Sequence, residues 1–268
     1  MAHEYLNQLL TAPAADDNKY SRGVVGFITG SREYPGAALL GVTGAVRTGV
    51  GLVRYLGPSE PANLVLLSRP ETVIQPGPAD AWVVGSGMPV TAFTETVLQN
   101  IYDFGLVVID AAALTQVDYS KLSGRAILTP HSGELARLLR QLGQQASAIA
   151  ALSTLQAAKL AAERTGQVVV LKGHQTIVAE PDAEPVVLPP ASSWLATAGT
   201  GDVLAGILGA LLAVHANAIL TQSLKISEVT ELAVRVHSLA AEIAIQDGPP
   251  AALDVAEAVR LAVRQLAA

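Results

Sequence analysis

The residues with the most chemistry in them form one short string, Thr197-Ala198-Gly199-Thr200-Gly201-Asp202-Val203-Leu204-Ala205-Gly206. Its first two glycines let the backbone turn so that successive N–H groups face one point, and the apolar helix expected to follow directs its positive dipole end there. Gly199, Thr200 and Gly201 therefore read as an anion hole. Asp202 stands beside it. A carboxylate within reach of a hydroxyl and next to a bound phosphate suits phosphoryl transfer to an alcohol: the acid takes the proton while the amides neutralise phosphate charge. The competing reading is an ordinary helix N-cap, where Thr and Asp are favoured.

Four other places carry chemistry-bearing residues. Tyr34-Pro35-Gly36-Ala37-Ala38 opens an expected helix with small side chains, which either admits a bulky ligand to the backbone or serves helix–sheet packing. Gly85-Ser86-Gly87 follows an expected strand, at the edge where parallel sheets place their ligands, although a plain turn has the same composition. His131 lies just past a strand beside Pro130, a loop position that favours ligand contact over core burial. Lys172-Gly173 ends another strand and offers a cation and bare backbone to phosphate, or a solvated turn. His215 and His237 fall within expected helices and read as structural, and no His/Asp/Glu spacing makes a zinc site.

The elements that must position these residues follow from periodicity. Strand-length apolar runs occur at Val24–Thr29, Leu52–Leu56, Leu64–Leu67, Trp82–Val84, Leu106–Ile109, Ala126–Leu128, Val168–Leu171 and Thr176–Ala179. Helical patterns at Gly36–Thr48, Val90–Tyr102, Gly133–Leu142 and Ser147–Arg164 lie between them, and strand–helix repetition implies right-handed crossovers and a mainly parallel sheet. Asp202–Leu220, Ser227–Gln246 and Ala251–Leu266 read as helices with no strand between them, a covering layer. Residues 1–20 read as an amphipathic N-terminal arm, either packed on a neighbouring subunit or loose. No repeat or charged linker divides the 268 residues, so the expectation is a single α/β domain over 1–268, a three-layer α/β/α arrangement with helices on both faces of the sheet.

Half the residues are hydrophobic and only 4% aromatic, so the core must be built from Ala, Val and Leu. A net charge of −6 disfavours nucleic acid as a partner, which would need a basic face. There is no cysteine, which excludes disulfides and thiolate metal sites. Val203–Val214, the most membrane-like stretch, would rise only about 18 Å as a helix against the ~30 Å of a bilayer core. No membrane segment or secretory signal is expected, and a cytoplasmic location follows by default.

The string Ala198–Gly206 resembles the signature of the ADP/ATP-dependent NAD(P)H-hydrate dehydratases, members of the ribokinase-like superfamily. Gly30–Leu40, Val84–Met88, Ile109–Leu114, Leu128–Glu134 and Val170–Thr176 are similar to further segments of that family, in the same order. The resemblance implies a ribokinase-like fold and a carbon–oxygen lyase that uses ADP or ATP to dehydrate NADHX and NADPHX, restoring NADH and NADPH. It implies Asp202 as the catalytic base. Ala37, Ala38, Gly87, His131 and Asp202 would bind the hydrated nucleotide, and Lys172, Gly173, His174, Gln175, Thr176 and Gly201 the adenine nucleotide. Mg²⁺ would bridge nucleotide phosphates rather than sit in a protein cage. A homo-oligomer, a tetramer by resemblance, is expected, as is a separate NAD(P)HX epimerase acting as pathway partner, since too few residues precede the first strand to hold one. Three positions depart from the family pattern: Ser86 and Ser132 replace prolines, and Ala112 replaces the second aspartate of an Asp-Ala-Asp-Ala-Leu motif. The alternatives are a hydroxyethylthiazole or hydroxymethylpyrimidine kinase, a non-catalytic adenine-nucleotide sensor to which Ala112 points, and an assembly subunit whose glycines serve packing alone.

Overall fold

The protein's structure is a computed structural model that describes residues 4–122 and 125–268. β1 (Val24–Ile28), β2 (Leu52–Tyr55), β3 (Ala81–Val84), β4 (Val107–Ile109), β5 (Ala126–Leu128), β6 (Val168–Leu171), β7 (Ile177–Ala179) and β8 (Val186–Val187) form one sheet in the order β2-β1-β3-β4-β5-β6-β7-β8. The first six of that order run parallel, and β7 and β8 turn back antiparallel. Chain order reverses between β1 and β3, and a crevice at the carboxyl ends of the strands opens at such a reversal.

The strands are apolar on both faces because helices cover both. Residues alternate along each strand: Val83, Val108 and Val170 enter one core, while Val84, Val107, Ile109, Val169 and Leu171 enter the other. The first core packs against α1 (Pro35–Thr48), α7 (Thr200–Val214), α9 (Ile226–Ala244) and α10 (Ala252–Ala267). The second packs against α3 (Glu95–Asp103), α4 (Ser132–Gln141) and α6 (Thr154–Thr165). The arrangement is the expected three-layer α/β/α, with α2 (Ser59–Ser68), α5 (Ala146–Ala151) and α8 (Ala216–Leu220) as shorter additions.

Some boundaries differ from the sequence expectation, each for a local reason. Leu64–Leu67 is not a strand but the second half of α2, with Val65 fully buried and Leu67 exposed. A short apolar run cannot by itself be told from a helix segment, and the crossover from β2 to parallel β3 requires one. Val90–Tyr102 divides into a 3₁₀ turn and α3 because Thr94 accepts the amide of Val97 as an N-cap. Ser147–Arg164 divides at Ser153, which caps α6 reciprocally with Gln156. Asp202–Leu220 breaks at His215 into α7 and α8. β8 has only two residues, too few to carry an alternation in sequence. The N-terminal arm begins with a 3₁₀ helix, Glu4–Leu9, which buries Leu6 in this chain's own core, so that part packs on α9 and α10 of its own chain.

α7 is the best buried helix, and glycines set how closely it meets α1. A Cβ on Gly206 would fall on the Gly41 carbonyl, and one on Gly44 would lie 2.7 Å from the Val203 carbonyl oxygen. Backbone therefore meets backbone at this crossing, which places the first turn of α7 over the carboxyl ends of β1 and β3. Arg47 of α1 and Arg69, just past α2, both pair with Glu257 of α10 and tie the outer helix to the same unit. Gly206→Ala is expected to destabilise the fold by roughly 1–3 kcal/mol through overpacking. The check is a thermal melt, in which the midpoint should fall by several degrees relative to the unsubstituted protein.

Candidate active site

The carboxyl ends of the strands bring together the residues that the sequence singles out. Asp110 follows β4, Thr129 to His131 follow β5, Lys172 follows β6, and Gly85 to Gly87 follow β3. The β5 and β6 loops are joined directly, since the Lys172 amide donates to the Pro130 carbonyl at 2.8 Å. α7 supplies Gly199 as its N-cap, in the left-handed region with φ of 96°, then Thr200, Gly201 and Asp202 as its first three residues. The amides in the first turn of a helix have no acceptor within the helix itself. The Thr200 hydroxyl is spent on the carbonyls of Leu195 and Thr197, and its amide donates to the Thr197 carbonyl at 3.4 Å.

At the floor lies a buried charge network. Asp110 is 3% exposed and accepts hydrogen bonds from Ser86 Oγ at 2.8 Å, Thr129 Oγ1 at 2.6 Å and Lys172 Nζ at 2.9 Å. Burial alone would push its carboxyl up, but the Lys172 ammonium and these three donors outweigh burial and hold it below the usual carboxylate range. Burial opposes the charge on Lys172 as well, and its pKa is nonetheless held above the ordinary lysine value, chiefly by Asp110. Ser86, where the family pattern has proline, thus becomes a ligand of the same carboxylate. Lys172 also lies under the first turn of α7, since a Cβ on Gly201 would be 3.4 Å from its Nζ.

Asp202 differs from Asp110. No hydrogen bond or ion pair holds its carboxylate among the described residues. Burial, with the Asp110 charge behind it, pushes its pKa up to about 7, and Lys172 only partly offsets this. It is therefore a carboxyl group poised between forms near neutral pH, a property suited to a proton acceptor.

The other expected site residues are distributed unevenly. Lys172, Gly173, His174 and Thr176 line a cavity of about 360 Å³ with Gly201, and Gln175 is exposed outside its wall. Gly87 has φ of +67°, and a Cβ there would lie 2.6 Å from that of Ala37 and 3.0 Å from the Tyr34 carbonyl. Gly87 and Ala37 are therefore packed against each other at the mouth of the β1–β3 crevice. Ala38 is fully buried behind them, with its methyl 3.0 Å from the Cβ position of Gly30. His131 is exposed, but its Nδ1 is committed as the α4 cap and accepts from the amides of Gly133 and Glu134 at 3.0 and 3.3 Å. Its Nε2 lies 3.5 Å from the Glu134 carboxylate. The pattern reading missed His237, which it placed among structural residues and which lines the same cavity as Lys172. Among the described residues, no group of three or more His, Asp or Glu side chains is arranged to hold a metal ion.

Comparisons with known proteins show the family and the fold. A sequence profile of the NAD(P)H-hydrate dehydratase family matches residues 25–258. The chain belongs to that family. It is 33% identical over 251 residues to the ADP-dependent (S)-NAD(P)H-hydrate dehydratase of Neisseria meningitidis, a match covering 87% of this chain and 80% of that one. It is 40% identical over 212 residues to the bifunctional NAD(P)H-hydrate repair enzyme Nnr of Mycobacterium tuberculosis, covering 75% of this chain but only 43% of that enzyme. The crystal structure of the Bacillus subtilis ADP/ATP-dependent NAD(P)H-hydrate dehydratase, co-crystallized with ATP/Mg²⁺, superposes with a TM-score of 0.85 at 26% identity, covering 99% of this chain and 97% of that one. Ribokinase from Thermotoga maritima shares the fold, with a TM-score of 0.53 at 13% identity over 88% of this chain and 98% of that one. The fold is thus ribokinase-like. No helix among the described residues is long and apolar enough to cross a membrane.

The raised pKa of Asp202 has a consequence for stability. In the unfolded chain this carboxyl ionises near its ordinary value of 3.8, and in the folded protein only near 7, so the folded form binds the extra proton in between. Stability from this group is therefore greatest below 3.8 and is lost as pH rises towards 7. Asp202→Asn removes that loss, and its gain in melting temperature should be larger at pH 8 than at pH 5. Melts of both proteins at the two pH values check this, and an equal gain or a loss at pH 8 contradicts it.

Proposed function

We propose that this chain catalyses ADP- or ATP-dependent dehydration of hydrated nicotinamide cofactors, converting NADHX and NADPHX to NADH and NADPH. Family membership supports the reaction class. The single observation that carries the residue assignment is Asp202, a half-buried carboxylate in the first turn of α7, near the Lys172 cation, with no hydrogen bond or ion pair to it among the described residues.

A ring hydroxyl is a poor leaving group, and phosphorylation corrects this. Asp202 accepts the hydroxyl proton as the oxygen attacks the terminal phosphorus of ATP or ADP, and the bond to the departing ADP or AMP breaks. The amides of Gly199, Thr200 and Gly201, with Lys172 beneath, hold the transferring phosphoryl group, where preorganised donors act without reorganisation. Electron push from the ring nitrogen then breaks the carbon–oxygen bond to expel phosphate, and loss of a proton from the neighbouring carbon restores the double bond. Mg²⁺, carried on the nucleotide, would supply further neutralisation of phosphate charge. The hydrated nucleotide is placed in the β1–β3 crevice against Gly87 and Ala37, with His131 Nε2 as a donor at its rim. Both nucleotides present the phosphates that the amides grip. Asp110 acts through its neighbours: it holds Lys172 under the amides and raises the pKa of Asp202. Ala112 lies in the 3₁₀ turn Ala111–Thr115 after Asp110, a turn that carries no acid of its own.

Incubation with NADHX, Mg²⁺ and ADP or ATP should restore the reduced-ring absorbance and release free phosphate. Accumulation of a phosphorylated alcohol would assign a kinase instead. Asp202→Asn should keep nucleotide affinity while turnover falls by about 10²–10⁴, and near-normal turnover in that variant removes Asp202 from the role. Because the base must be ionised, kcat/KM should fall as pH drops through about 7. Asp110→Asn, which removes the neighbouring negative charge, should move that limb to lower pH.

A further inference from the structure

The turn after β3 holds a residue that the reaction above does not use. Ser86 is buried and bonds to both halves of the site. Its carbonyl accepts the Gly30 amide at 2.7 Å, which fixes the loop after β1 against the turn that carries Gly87. Its hydroxyl donates to Oδ2 of Asp110 at 2.8 Å. The two carboxylate oxygens of Asp110 are served unequally. Oδ1 takes Thr129 Oγ1 at 2.6 Å and Lys172 Nζ at 2.9 Å, whereas Ser86 is the one donor to Oδ2 among the described residues. The last torsion of an aspartate is broad, so bonds on one oxygen alone do not set the plane of the carboxylate. A bond on the other oxygen does. Without Ser86, Oδ2 would be a charged acceptor left buried and unpaired, which is costly. Proline, the residue of the family pattern at this position, has no such donor.

We propose that Ser86 is a positioning residue for the dehydration: by fixing the plane of the Asp110 carboxylate, it holds the Lys172 ammonium in place under the first turn of α7. The hydroxyl is not what places the turn itself. A Cβ on Gly85 would lie 2.0 Å from the Asp110 carbonyl oxygen, so the β3 turn already rests on the backbone at the end of β4. The bond to Gly30 is likewise made by main-chain atoms and survives a change of side chain. What the hydroxyl adds is the orientation of one carboxylate, and its loss should fall on turnover rather than on binding in the crevice. The assignment rests on the dehydratase reading of this site.

The split between kcat and KM tests it. Turnover with NADHX, Mg²⁺ and ATP is followed by reduced-ring absorbance in the unsubstituted protein, Ser86→Ala, Ser86→Thr, Asp110→Asn and the double variant carrying Ser86→Ala and Asp110→Asn. Ser86→Ala should lower kcat roughly tenfold, the loss of one hydrogen bond to a charged group. Its KM for NADHX and for ATP should change by less than about twofold. Ser86→Thr, which keeps the hydroxyl, should recover most of the lost kcat. Because the hydroxyl acts through the Asp110 charge, adding Ser86→Ala to Asp110→Asn should cost no more than about twofold further. An unchanged kcat in Ser86→Ala overturns the proposal. So does a raised KM for NADHX with kcat preserved, which would make Ser86 a support of the crevice alone. A full tenfold loss on the Asp110→Asn background overturns it as well, and this arm decides the matter even where threonine does not fit. Absence of turnover in the unsubstituted protein overturns the dehydratase reading itself, a separate result.

Discussion

The site depends on one buried ion pair. Lys172 and Asp110 are brought out of water at the carboxyl ends of β6 and β4, and neither could be charged there alone. Ser86 and Thr129 complete the hydrogen bonding of the carboxylate, so the pair is fixed rather than merely adjacent. With Lys172 thus committed, its charge only partly compensates Asp202, and Asp202 remains half-ionised near neutrality. One ion pair therefore does two things: it holds a cation under the first turn of α7, and its carboxylate keeps the pKa of a second carboxyl near neutrality.

That electrostatic arrangement needs α7 at a fixed height above the sheet, and the α1–α7 crossing provides it. Gly41, Gly44 and Gly206 let the two backbones touch, so side chains do not set the spacing. The composition follows from the same requirement. A chain rich in Ala, Val and Leu and poor in aromatics packs helices closely on a parallel sheet, and the closest contact lies one turn from Asp202. Packing economy and the site are the same feature seen from two sides.

Much of the architecture was legible because parallel sheets covered on both faces write continuous apolar strands and long amphipathic crossovers into the chain. Seven of the expected strands, at β1 to β7, lie where the periodicity puts them, within a residue. The exception, Leu64–Leu67, fell where a four-residue apolar run has no period to read, and the crossover geometry decided it. The loop string from Gly199 to Asp202 was legible for a different reason, since two glycines before an apolar helix have few other uses. His131 was legible as a loop residue but not as a helix cap, because the capping bond depends on a side-chain rotamer. His237 was not legible at all: on a helix of alternating Ala, Val and Leu it looks like any buried histidine, and only the packing of α9 on α7 puts it in a cavity wall.

The sequence by itself determined the class of the fold, the order of its elements, the net negative charge, the absence of thiol chemistry and the glycine-flanked aspartate at the start of a long apolar helix, all of which are properties of neighbouring residues or of composition. The tertiary structure decided which distant groups share one volume. Asp110, Lys172 and Asp202 lie far apart in the chain and act as one electrostatic unit because β4, β6 and α7 converge at one edge of the sheet. Charge coupling depends on distance and on exclusion of water, and neither quantity is defined until the chain has closed on itself.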